Sequence, residues 1–63
     1  MALSSYKFHL IKHGRTLATE LMECDDDGYA IQKAKELLST STFDSVEVWQ
    51  NTLKVGVIER RSR

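Results

Sequence analysis

The sequence predicts an α+β domain of order ββαββ, a four-stranded, mainly antiparallel sheet with one helix packed on one face. Three observations carry that prediction. Two stretches of period-two alternation each double back through a short polar turn. Between them lies one stretch with the i, i+3, i+4 spacing of an amphipathic helix. The chain has 63 residues, 41% hydrophobic and 29% charged, which is the size and balance of one globular domain, 1–63. Residues 1–4 and 60–63 are expected to fray.

The first strand starts at Ser5, where Tyr6, Phe8 and Leu10 alternate with Lys7, His9 and Ile11. His13-Gly14 reads as a two-residue turn, with glycine supplying positive φ. A regular hairpin around it sets Leu10 opposite Leu17, Phe8 opposite Thr19 and Tyr6 opposite Leu21. On the other face His9 then meets Ala18 and Lys7 meets Glu20, so apolar pairs with apolar and charge with countercharge.

The helix follows an acidic run, Glu23-Cys24-Asp25-Asp26-Asp27. Asp25 is the expected N-cap, with Asp26 and Asp27 as first-turn acids and Cys24 and Tyr29 placed as a hydrophobic staple. Ala30, Ile31, Ala34, Leu37 and Leu38 form the apolar stripe. Ser39-Thr40-Ser41-Thr42 ends the helix by competing for its backbone hydrogen bonds.

The last hairpin spans Ser45 to Glu59, with Asn51 suited to a left-handed turn position. A regular register pairs Val48 with Val55, Val46 with Val57, Trp49 with Lys54, Glu47 with Gly56 and Ser45 with Ile58. Pairing the first strand with the third gives the spatial order 2-1-3-4. The helix is then a right-handed crossover between the parallel second and third strands. The helix-facing core expected of the sheet is Tyr6, Phe8, Leu10, Leu17, Leu21, Val46, Val48, Val55 and Val57.

Trp49 falls on the face away from the valines. His9, Ile11, Ala18, Met22, Trp49, Lys54 and Ile58 are expected to share that face, a candidate interface because Trp and Met are enriched at such surfaces. A domain this short buries only about 60% of its unfolded surface. With Cys24 as the single cysteine, no internal disulfide can staple it, so a homodimer through the Trp49 face is the expected source of extra stability.

No sequence motif implies a catalytic residue, a cofactor or a metal. The position six after Gly28 is Ala34, which defeats an EF-hand reading of the aspartates, and capping accounts for them. His9 and His13 have no sequence-placed acid or nucleophile, so enzymatic chemistry is not expected. Cys24 reads as a packed, unreactive thiol. Nine basic and nine acidic residues leave the formal charge at zero, which disfavours nucleic acid as the main ligand. Arg60, Arg61 and Arg63 remain the weak candidates for such contacts, in a small nucleic-acid-binding or regulatory protein. With no apolar signal or membrane-spanning run, the expected location is the cytoplasm.

The strand Tyr6-Lys7-Phe8-His9-Leu10, the acidic helix start at 23–27, Ala30-x-x-x-Ala34 and Val46-Glu47-Val48-Trp49 together resemble a group of short bacterial ββαββ proteins of unassigned activity. The likeness runs from about Tyr6 to Glu59 and implies the same fold. A weaker likeness is to the HicB-like antitoxins, which also pass from strands into an acid-started, Ala-rich helix. This chain lacks the Gly- and Pro-containing loop that usually precedes that helix.

Overall fold

Alternating apolar residues make β1 (Ser4–Lys12), β2 (Arg15–Cys24), β3 (Ser45–Gln50) and β4 (Leu53–Glu59), and the helical stripe makes α1 (Asp27–Ser39). The computed structural model describes residues 3–60. The order is ββαββ and the sheet order is β2-β1-β3-β4, with every neighbouring pair antiparallel. Ser4 pairs with Cys24 and Arg60 is hydrogen-bonded into the fold, while 1–2 and 61–63 lie outside the described residues.

Each hairpin uses a two-residue turn. His13 and Gly14 both take positive φ, 55° and 76°, as a tight primed turn requires. Asn51 takes φ 58° in the second turn, a backbone region that asparagine tolerates because its side chain can bond locally.

Beyond each turn the expected register fails at one residue. Lys12 pairs with Arg15 and Ile11 with Thr16, but Leu10 pairs with Ala18, so Leu17 is an inserted bulge residue. In the second hairpin Gln50 pairs with Leu53 and Trp49 with Lys54, but Val48 pairs with Gly56, so Val55 is inserted. Because strand side chains alternate, one inserted residue exchanges the faces of everything after it. Lys7 therefore faces Leu21 rather than Glu20, and His9 faces Thr19 rather than Ala18. Leu17 and Leu21, expected in the core, are 57% and 70% exposed, and Val57 is 41% exposed.

The core lies between the sheet and α1. Tyr6, Phe8, Leu10, Val46 and Val48 from the sheet and Ala30, Ala34 and Leu38 from the helix are buried, together with Cys24. Met22, Ile31, Leu37, Phe43, Val55 and Ile58 pack around them. Gly56 lies beneath the helix. A Cβ there would come within 3.1 Å of Ile31 Cδ1, so a side chain would press on the helix.

The N-cap is Asp26, one residue later than expected: its carboxylate accepts from the Tyr29 backbone N–H at 2.9 Å. That shift removes the staple geometry from Cys24 and Tyr29; Cys24 is buried and Tyr29 exposed. Asp27 remains a first-turn acid, and its carboxylate also accepts the Tyr6 phenol at 2.6 Å. At the other end Ser39 Oγ and Thr40 Oγ1 donate to the Glu36 carbonyl, the competition that the hydroxyl run predicts.

Candidate functional site

Among the described residues nothing covers the sheet face away from α1, and the pairing register arranges it in cross-strand rows. One row runs Leu21, Lys7, Trp49, Lys54 from β2 to β4. The next runs Thr19, His9, Glu47, Val57, and a third runs Thr16, Ile11, Ser45, Glu59. Trp49 thus lies between two lysines, and Leu21 and Val57 are the exposed apolar residues near it.

The centre of this face is tied together by polar contacts. Trp49 Nε1–H donates to Glu47 Oε1 at 3.1 Å, and Lys54 Nζ lies 3.6 Å from Glu47 Oε2. The indole hydrogen bond, helped by the Lys54 charge, holds the Glu47 carboxyl below its usual range. His9 meets the indole edge-on, with ring centroids 6.2 Å apart and planes at 81°. Its Nδ1 lies 3.0 Å from Thr19 Oγ1. The indole N–H is bonded and the ring packs against His9, so Trp49 is a positioned side chain rather than a loose apolar one.

Of the residues expected on this face, His9, Ile11, Trp49 and Lys54 are there, and Trp49 pairs with Lys54 as expected. Ala18, Met22 and Ile58 are not. The two bulges turn them to the helix side, opposite Leu10, Tyr6 and Val46, and Met22 and Ile58 pack on the core. Leu21 and Val57 take their place. Gly56 was the available signal for the second exchange, because a glycine inside a strand marks a bulge or a close backbone approach. The first hairpin has no comparable mark.

Arg60 is hydrogen-bonded within the fold. Its Nε–H donates to the Phe43 carbonyl at 2.9 Å, and its NH2 group donates to the carbonyls of Leu38 and Ser41, which fastens the end of β4 to the end of the helix. Arg61 and Arg63 lie outside the described residues.

Other titratable groups are likewise held within the fold. Burial pushes the Cys24 thiol up, with Asp25 and Asp26 adding to that and Lys33 opposing it. The Tyr6 phenol is pushed up to about 12, first by its hydrogen bond to Asp27. Asp44 Oδ2 accepts from the His13 backbone N–H at 2.8 Å, which holds its carboxyl below the usual range. Among the described residues there is no cavity, no cluster of three or more metal-ligating side chains, and no helix long and apolar enough to cross a membrane. The chain was compared with protein-family models, curated proteins and solved structures, and none of them matches it.

Proposed function

We propose that this protein is a non-enzymatic interaction module of the cytoplasm, and that its open sheet face around Trp49 packs against the same face of a second copy. The observation that carries this reading is the composition of the uncovered face. It holds an indole fixed by Glu47, with exposed Leu21 and Val57 beside it. Fixed aromatic side chains make good interface anchors because little rotamer freedom is lost on binding. The face also carries both signs of charge, Lys7 and Lys54 with Glu23, Glu47 and Glu59, so it is not uniformly repulsive toward its own copy. Sedimentation equilibrium at micromolar concentration is expected to show at least twice the mass of one chain, and Trp49→Glu to halve the observed mass. A monomeric wild type, or a mass that Trp49→Glu leaves unchanged, removes this reading.

A second reading, as a nucleic-acid-binding or regulatory protein, keeps one favourable observation: Lys7 and Lys54 flank Trp49 in a single row. An aromatic between cations can stack a base while the cations meet phosphates. Against it, the same face carries Glu23, Glu47 and Glu59, and Arg60 is engaged elsewhere. Binding to a mixed RNA pool that weakens steeply with salt would support this reading, and no binding at low salt would eliminate it.

A further inference from the structure

We infer that the free edge of β2 pairs antiparallel with β2 of a second copy, in a register centred on Leu21. This contact is separate from the Trp49 face. β2 is an outer strand of ten residues, and its side chains are exposed from Arg15 through Leu21. An uncovered edge presents unpaired N–H and C=O groups that template another strand. The bulge at Leu17 divides β2 unequally, leaving an unbroken segment from Ala18 to Cys24 that is accessible as far as Glu23. The other outer strand, β4, is the poorer template. Its bulge at Val55 divides a shorter strand, and Gly56 runs beneath Ile31 of the helix.

The side chains of that segment select the register. Antiparallel partners must share a face, so the two-fold axis passes through a residue. An axis at Glu20 sets two carboxylates against each other, which is destabilising. An axis at Thr19 drives the pairing through the bulge. An axis at Met22 pairs fewer residues and sets Leu21 against Glu23. An axis at Leu21 uses the accessible stretch from Thr19 to Glu23, with Thr19 against Glu23, Glu20 against Met22, and Leu21 against its own copy; Cys24 is buried and takes no part. No like charges meet, and the most exposed large apolar side chain among the described residues, at 70%, lies on the axis. The product is a continuous eight-stranded sheet with both Trp49 faces on one side. Its axis is perpendicular to the sheet, while the axis of a face-to-face pair lies in the sheet plane. Both contacts therefore fit one closed assembly.

Trp49→Glu separates the two contacts. With the face contact removed, sedimentation equilibrium at micromolar concentration is expected to show twice the mass of one chain. Adding Leu21→Lys, which sets two ammonium groups against each other at the axis, is expected to reduce it to one chain with the far-ultraviolet dichroism unchanged. A monomeric Trp49→Glu protein overturns the edge contact, as does a dimer that survives Leu21→Lys. Failure of the face contact reads differently, as equal masses for wild type and Trp49→Glu. A second measurement places Leu21→Cys in the Trp49→Glu chain. Cα atoms opposite each other across an antiparallel pair lie about 4.5–5.5 Å apart, within disulfide reach. Oxidised glutathione accepts the two electrons and two protons as the inter-chain S–S bond forms. A linked dimer is expected on a non-reducing gel, and its absence overturns the register.

Discussion

The two hairpins share one construction and put it to different use. Each turns in two residues and inserts a bulge at the third residue of its return strand, Leu17 in the first and Val55 in the second. In the second hairpin the inserted Val55 packs on the core, and Gly56 gives the helix room. In the first hairpin the inserted Leu17 faces solvent, and α1 leaves most of β2 uncovered. The same local device therefore closes one side of the molecule and leaves the other side open. A bulge is read by what lies against it, and the helix is what distinguishes the two.

The sharpest test of that difference lies within the first hairpin. Phe8 is buried, and Phe8→Ala is expected to cost about 3–5 kcal/mol in urea unfolding. That is on the order of the whole stability of a chain this small, at about 0.05–0.15 kcal/mol per residue. Leu21→Ala, in dilute solution where chains are apart, is expected to cost no more than about 0.5 kcal/mol. A regular hairpin would place both side chains in the core and give both a large cost, so a large loss from Leu21→Ala would contradict the bulge.

Deleting the bulge residues compares the hairpins directly. Removing Val55 takes a valine off the core and is expected to cost about 1.5–3 kcal/mol. Removing Leu17 leaves every other pair of the first hairpin in place and loses only an exposed side chain, so about 1 kcal/mol or less is expected. The check is the urea midpoint of each deletion. Equal losses would mean that the helix treats the two bulges alike.

The sequence made legible what depends on local chemistry. Period-two alternation located four strands, His13-Gly14 and Asn51 located the turns, and the stripe from Ala30 to Leu38 located the helix face. The core positions on β1 and β3 were legible too, because those strands run without interruption. The return strands were not. Alternation is counted from the turn, and one inserted residue reverses every assignment after it, which is how Leu21 and Met22 exchanged faces, and Val57 and Ile58 likewise. At Val55 the insertion goes with the close passage of Gly56 under the helix, a partial signal in the sequence, whereas nothing in the composition around Leu17 marks the first insertion. The candidate site inherited the same division. On β1 and β3, His9, Ile11 and Trp49 lie on the face that alternation assigns them, and the reversed assignments lie on β2 and β4. The partners of Arg60 are illegible for a related reason: they are carbonyls at Leu38, Ser41 and Phe43, far away in sequence.

Arg60 is the second hairpin's polar clasp on the helix end. Arg60→Ala is expected to lower stability by about 1 kcal/mol, the usual scale for a hydrogen-bonded group at a helix C-terminus. A shift of the thermal midpoint by several degrees checks it. The expected local signature is faster amide exchange confined to residues 38–44, and an undisturbed loop would show that Arg60 only decorates it.

The first hairpin has a clasp of its own, and its dependence on pH has a definite sign. The Tyr6 phenol donates to Asp27 at the helix start, and its folded pKa is pushed from 10.0 to about 12. The neutral phenol is the form that the fold favours. Its contribution is complete below the unfolded value and is lost progressively as pH rises from about 10 through the folded value near 12. The buried Cys24 thiol, also raised, acts in the same direction. Urea midpoints measured from pH 9 to 12 are therefore expected to fall more steeply for wild type than for Tyr6→Phe, and the difference in slope isolates the phenol. At the turn of the same hairpin Asp44 behaves oppositely. Its lowered carboxyl contributes above the ordinary value of 3.8 and loses that contribution as pH falls through the folded one. Base thus loosens the hairpin where it meets the helix start and acid loosens it at the turn. Parallel slopes for wild type and Tyr6→Phe would show that the Asp27 contact does not hold this hairpin to the helix.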